Sequence, residues 1–209
     1  MAADVALLDD AARLGTVALR LYRWDPPTLS IGRNQPLDGI TRGTAPVVRR
    51  PTGGKAVWHE HEVTYAVAAP IAMFGSLRNA YREIHTRIVA ALRSLGVDAV
   101  LADDRPAVRP SDRPASCFAM PVGGEILVQG RKLAGSAQVR RRDAFLQHGS
   151  ILLDVTHPSF NEGTTLAAVL GRKLAFGEVA DAIINTWRDF RPSGRQAVRP
   201  SDVASLAPQ

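Results

Sequence analysis

Leu77, Tyr81, Ile84, Ile88, Leu92 and Leu95 recur at helical spacing, and Gly96 supplies a stop. A helix over 77–95 with a single apolar stripe must lie on an apolar layer, and the rest of the chain provides one as short strands. Alternation marks 17–22. Thr28 to Ile31 follows the Pro26-Pro27 break, and Val47 to Arg50 ends at Pro51. Ala56 to Ala68 reads as one strand, with Val57, His59, His61, Val63, Tyr65 and Val67 sharing a face if it is continuous. Strands at 125–128 and 132–139 are joined through Gln129-Gly130-Arg131, and 145–155 is another. Further helices fit 3–14, stopped by Gly15, and 177–190, with Val179, Ile183 and Trp187 inward. The prediction is an α+β fold, its helices on one side of a mixed, mainly antiparallel sheet. Residues 103–116, rich in proline, arginine and aspartate, read as an exposed loop leading into Cys117. The polar tail from Pro192 reads as frayed.

At 209 residues the chain fits one compact domain. No run of about 18 apolar residues is present, and acids stand where a secretory signal carries lysines, so a cytoplasmic, non-membrane protein is the default expectation. A single cysteine excludes a disulfide framework and a multi-cysteine zinc site. The net charge of +6 comes almost wholly from arginine, with lysine only at 55, 132 and 173. Such an excess suits an acidic partner or a plain solvated surface. Without aromatic-interleaved basic stretches it gives little support to nucleic-acid binding, and no DNA partner is expected.

Three segments carry chemistry. Arg49-Arg50-Pro51-Thr52-Gly53-Gly54-Lys55 sets paired glycines beside positive charge, which lets backbone amides approach a ligand closely; a simple hairpin turn accounts for it equally. In Gly130-Arg131-Lys132-Leu133-Ala134-Gly135-Ser136-Ala137, small residues surround a strand lysine that either points into a groove, donating to a carbonyl oxygen, or faces solvent. Cys117 is either a small buried hydrophobe or, with arginines upstream, an activated thiolate. His59-Glu60-His61 puts two imidazoles on one strand face, with His148 or His157 as a conceivable third ligand; groove or structural histidines are the preferred reading, and no metal site is assigned.

Taken together, RRPTGGKAVWHEHEVTYAV (49–67), CFAMPVGGEILVQGRKLAGSAQVRR (117–141) and LQHGSILLD (146–154), preceded by YRWDPPTLSIGRNQ (22–35), resemble the lipoate–protein ligase A/octanoyltransferase family. The resemblance runs from about residue 4 to about residue 190. It implies a class II aminoacyl-tRNA synthetase/biotin protein ligase-like catalytic domain over 1–191, with 192–209 as an appended tail. Cys-Phe ahead of the GRK-x-AGSAQ strand resembles the cysteine-dependent octanoyltransferases. By that resemblance Cys117 takes octanoyl from acyl carrier protein, or from an octanoylated H protein, as a thioester, and Lys132 positions or polarises the acyl carbonyl. Arg50, Thr52, Gly53, Gly54, Lys55, His59, Gly135, Ser136, Ala137, His148 and Gly149 then line the acyl or lipoyl groove. The acceptor is a lysine of a lipoyl domain, such as the glycine-cleavage H protein or a 2-oxoacid dehydrogenase E2. Octanoyl transfer needs no cofactor.

GRNQ at 32–35 is closer to the ligases, which keeps open an ATP-dependent lipoate ligase requiring ATP and Mg. A non-catalytic paralogue that binds lipoyl domains, with Cys117 structural, is the further alternative.

Overall fold

The computed structural model describes residues 1–37, 43–102, 124–155, 157, 163–188 and 190. The loop read over 103–116, Cys117 and the tail from 192 lie outside the described residues.

Helix α1 (Ala2–Leu14) ends on Gly15, whose left-handed φ of 71° only glycine adopts cheaply. Strands β1 (Ala18–Tyr22), β2 (Thr28–Ile31), β3 (Val47–Arg49), β4 (Val57–His59) and β5 (Glu62–Pro70) precede α2 (Leu77–Ser94). Then come β6 (Ala99–Leu101), β7 (Ile126–Val128), β8 (Arg131–Arg141), β9 (Ala144–Leu152), α3 (Leu166–Leu170) and α4 (Phe176–Trp187). Among the described residues six strands form one sheet in the order β1-β5-β9-β8-β7-β6, every pairing antiparallel. A second sheet, β3-β2-β4, has β2 parallel to β3 and antiparallel to β4.

The apolar stripe of α2 packs with Val179, Ile183 and Trp187 of α4 onto Val63, Tyr65, Val67, Phe145 and Ile151. Burying those faces is what makes the two amphipathic helices stable. Helix α1 lies on the opposite face, where Leu8 and Ala11 meet Ala66, Ala68, Ala144 and Leu146. The helices therefore occupy both sides of the sheet, not one. Strand β5 is consequently buried on both faces.

The reading of 56–68 as one strand is also corrected. The chain leaves β4 after His59, crosses at Glu60-His61 and enters the other sheet as β5. His59 is buried while the His61 side chain is 57% exposed, so the two imidazoles share no face. Among the described residues no group of three or more His, Cys, Asp or Glu is placed to hold a metal ion. No helix among them is long and apolar enough to cross a membrane.

Candidate active site

A cavity of about 200 Å3 opens between the two sheets, on the α1 side of the larger one. Arg50, Gly53, Gly54, Val57 and His59 line it from the smaller sheet and its loop. Thr64, Gly135, Ala137, His148 and Ser150 line it from the larger. Gly149 and Ser136 complete the wall between them.

The glycine loop is held from beneath. The Arg50 guanidinium, 7% exposed, donates to the Ser30 carbonyl (2.9 Å), Ser30 Oγ (2.7 Å), the Gly53 carbonyl (3.3 Å) and the Lys55 carbonyl (2.7 Å). Arg49 Nη1 donates to the carbonyls of Gly32, Arg33 and Gln35. Arg50 thus holds the glycine loop, and Arg49 the neighbouring 32–35 segment, through backbone carbonyls. The GRNQ segment belongs to the same construction: Arg33 N–H donates to the Thr52 carbonyl, and a Cβ on Gly32 would sit 2.0 Å from the Gly54 carbonyl oxygen. Gly53 and Gly54 are exposed at the rim.

Lys132 points into the cavity, 4% exposed, and its Nζ lies 2.6 Å from Glu125 Oε1. A β-bulge aims it. Ile126 pairs with Ala134 but Leu127 pairs with Lys132, so Leu133 is the extra residue. Both Leu133 and Ala134 consequently pack into the core under α2, and Lys132 turns to the cavity face. Beyond the bulge, Ser136 faces α2. A Cβ on the opposed Gly149 would meet Ser136 Oγ at 2.3 Å and the Gly135 carbonyl oxygen at 2.5 Å, so this crossing admits only glycine.

The histidines are oriented by buried carboxylates. His59 Nδ1 lies 2.7 Å from Glu62 Oε1 and Nε2 lies 2.5 Å from Ser30 Oγ, while Trp24 stacks on the ring with centroids 4.5 Å apart. Glu62 Oε1 also accepts from Thr64 Oγ1 and from Ser150 Oγ. His148 Nε2 meets Thr52 Oγ1 at 2.7 Å, and its Nδ1 lies 3.2 Å from Asp4 Oδ2. Burial holds the His148 imidazole below its usual 6.5, more than offsetting the nearby Asp4. Burial pushes Asp4 up, yet the hydrogen bonds from His148, Tyr22 and Arg20 carry it below the ordinary carboxylate value.

Most of the expected groove residues therefore converge. Arg50, Gly53, Gly54, His59, Lys132, Gly135, Ser136, Ala137, His148 and Gly149 all line one cavity. Thr52 stands behind the wall, supporting His148, and half-buried Lys55 is not a lining residue. Cys117 lies outside the described residues. Sequence reasoning missed Glu125, Asp4, Glu62 and Ser30. Only Glu125 carried a signal, as a lone acid opening a strand hairpin whose other arm holds Lys132.

The lipoyl protein ligase A/B catalytic domain model matches residues 1–173. The chain belongs to that family. An octanoyltransferase LipM of Kyrpidia tusciae is 45% identical over 171 residues, covering 74% of this chain and 61% of the relative. One of Lysinibacillus sphaericus is 41% identical over 169 residues, with the same 74% and 61%. The chain thus spans about three fifths of the length of these relatives. A crystal structure of lipoate-protein ligase A bound with ATP is 21% identical, with a TM-score of 0.64 over 95% of this chain and 84% of that one. The α+β architecture described above is therefore the lipoyl ligase A/B fold. Its cavity lies at the junction of the two sheets, where the paired glycines face the bulged lysine strand.

Proposed function

We propose that this lipoyl ligase A/B domain is an octanoyltransferase of lipoate biosynthesis, moving octanoyl from acyl carrier protein to a lysine of a lipoyl domain through a Cys117 thioester. The observation that carries the reading is Lys132, a buried ammonium held by Glu125 at one wall of a cavity that the paired glycines Gly53-Gly54 and the small residues Gly135, Ala137 and Gly149 also line. The octanoyltransferase names of the 45% and 41% identical relatives support the same reaction. An ammonium in a water-poor site stabilises the oxyanion that forms when a thioester carbonyl is attacked.

In the first step the Cys117 thiol gives its proton to solvent, the resulting thiolate bonds to the octanoyl carbonyl carbon, the carbon–sulfur bond to the carrier breaks, and the carrier leaves as a thiolate that takes up a proton from solvent. Exchange of one thioester for another is close to thermoneutral, so ATP is not needed. In the second step the acceptor lysine's neutral amine bonds to the same carbon, the bond to Cys117 breaks, and the amine's proton passes to the departing thiolate. Splitting the transfer lets one protein partner leave before the other docks. The buried histidines support this assignment of the proton. His59, His85 and His148 each have both ring nitrogens engaged by protein partners. The net charge of +6 favours encounter with acidic carrier and lipoyl proteins.

The test is intact-mass spectrometry after incubation with octanoyl-acyl carrier protein without ATP, followed by an apo lipoyl domain. A hydroxylamine-labile octanoyl adduct, absent from Cys117→Ala and discharged to the domain, is the expected result. No adduct, with modification of the domain only when ATP and free lipoate are supplied, would overturn the reading in favour of ligation.

A further inference from the structure

Beneath the cavity, on the α2 side of the sheet, lies a buried polar chain that the acyl-transfer reading does not use. Gln138 Nε2 donates to the Leu77 carbonyl and to Gln147 Oε1 (2.8 Å), which fixes the orientation of both amides. Gln147 Nε2 donates to Tyr65 Oη (2.9 Å). Tyr65 Oη lies 2.6 Å from Ser136 Oγ, and both hydroxyls reach His85 Nε2, Ser136 Oγ at 2.8 Å and Tyr65 Oη at 2.9 Å. His85 Nδ1 ends the chain 2.5 Å from the Gly124 carbonyl oxygen. A carbonyl only accepts, so Nδ1 carries a proton. Burial pushes the fully enclosed imidazole down to about 4, which leaves it neutral with Nε2 as an acceptor. Nε2 therefore accepts from the Tyr65–Ser136 hydroxyl pair, and the network links Gln138 and Gln147 through that pair and His85 to Gly124.

The last link lies directly behind the lysine pair. Gly124 precedes Glu125, and Ser136 lies four residues after Lys132 on β8. Two cross-links therefore join the same two chain segments: Ser136–His85–Gly124 on the helix face and Lys132–Glu125 on the cavity face. Gly124 N–H is paired with the Ala102 carbonyl, and Gly124 itself, at φ +83°, stands against the Tyr81 ring, 3.2 Å from where a Cβ would be. Because a peptide is planar, the direction of the Gly124 carbonyl sets the direction of Glu125 N–H and the place of its Cα, and the Ala102 N–H bond to the Glu125 carbonyl (2.7 Å) holds the other side of that Cα, so together they set the exit of the Glu125 side chain.

We infer that His85 is a positioning residue for the active-site lysine: its Nδ1–H holds the Gly124–Glu125 peptide so that the Glu125 carboxylate meets Lys132 Nζ. The inference rests on the proposed role of Lys132 for its effect on turnover, but not for its structural content.

The test uses the lysine content of the chain. With lysine only at 55, 132 and 173, selectively 15N-labelled protein gives three side-chain signals, and Lys132→Arg assigns one of them. A buried, ion-paired ammonium exchanges its protons slowly enough to be observed. Asparagine reproduces Nδ1–H of histidine and glutamine reproduces Nε2, so His85→Asn keeps the Gly124 bond while His85→Gln keeps the Ser136 side. The Lys132 ammonium signal is expected to persist in His85→Asn and to vanish in His85→Gln. In the glutamine variant kcat for octanoyl transfer is expected to fall tenfold or more with KM for the acceptor domain unchanged. If His85→Gln does not fold, Gly124→Ala displaces the same peptide against Tyr81 and is expected to erase the signal. Retention of the signal in the glutamine variant, or its loss in both His85 variants with the fold intact, would overturn the inference. If the wild type transfers no octanoyl at all, the functional reading fails while the ammonium signal still decides this one.

Discussion

Replacing Lys132 by methionine separates its structural from its chemical role. The Lys132 and Glu125 side chains are each 4% exposed and 2.6 Å apart. Lys132→Met conserves shape but takes the cation away from a buried carboxylate, and breaking such a pair costs about 3–5 kcal/mol. For a chain of this size each kcal/mol moves Tm by about 2–4 °C, so Tm should fall by roughly 6–20 °C. Replacing both partners by apolar residues removes the buried charge as well and is often neutral or stabilising. Lys132→Met/Glu125→Leu is therefore expected to recover most of the lost stability. It recovers no activity, because loss of one oxyanion donor costs roughly 100- to 1,000-fold in kcat. Urea denaturation and single-turnover transfer from octanoyl-acyl carrier protein, run on wild type, single and double variants, check both halves. A single variant that loses less than about 1 kcal/mol would refute the buried pair, since that is the worth of an exposed one. A double variant with near wild-type turnover would refute Lys132 as the group that meets the acyl oxygen.

Two further outcomes follow from the buried imidazoles and the glycine crossing. His85 titrates at about 4 in the folded chain against an ordinary 6.5, so the unfolded state takes up the proton first as pH falls. Its contribution is full above pH 6.5 and declines by roughly 3 kcal/mol towards pH 4. His148, also lowered by burial, acts in the same direction. Urea unfolding across that range should therefore show a stability loss that is shallower in His85→Asn, and an equal slope in the two proteins would contradict the burial argument. Gly149→Ala forces a methyl against the Gly135 carbonyl at 2.5 Å, and overpacking of this kind costs about 1–3 kcal/mol, here at the upper end because the obstacle is backbone. Gly53→Ala meets nothing within 4 Å and serves as the control. Equal urea midpoints for the two alanine variants would show that β8 and β9 can separate to admit the side chain.

Periodicity located the large elements because their burial is one-sided. Helix α2 exposes one face and hides the other, so its stripe is written in Leu77, Ile84, Ile88 and Leu92. Strand β5 hides both faces, and a continuous apolar run then says nothing about where it starts. That is why the crossing at Glu60-His61, which moves the chain from one sheet to the other, left no mark in the alternation of Val57, His59, Val63 and Tyr65. Three-residue β6 and five-residue α3 are too short for periodicity to register. The carboxylates that orient the site were invisible for another reason. Asp4 reaches His148 from a helix 144 residues away, and one acid in an amphipathic first helix looks like any solvated one.

The bulge at Leu133 illustrates the limit most directly. Strict alternation along β8 would place Lys132 with Ala134 and Ser136, facing α2, and send Leu133 into the cavity. Nothing in the local string GRKLAGSAQ decides against that. The decision comes from β7, where two turn residues at positive φ, Gln129 and Gly130, set the pairing of Val128 with Arg131, while Ile126 pairs with Ala134. One extra residue must then be absorbed between the two fixed points, and Leu133 gains by joining Ala134 in the core. A buried leucine is worth about 1.5–3 kcal/mol, and the same slip turns Lys132 towards Glu125. Hydrophobic burial on one face thus sets the direction of the lysine on the other. Leu133→Ser, which weakens the apolar drive without touching the cavity, should lower both stability and transfer rate, whereas Leu133→Met should leave both near wild type. A serine variant with full turnover in its folded fraction would show that the turn alone fixes the register.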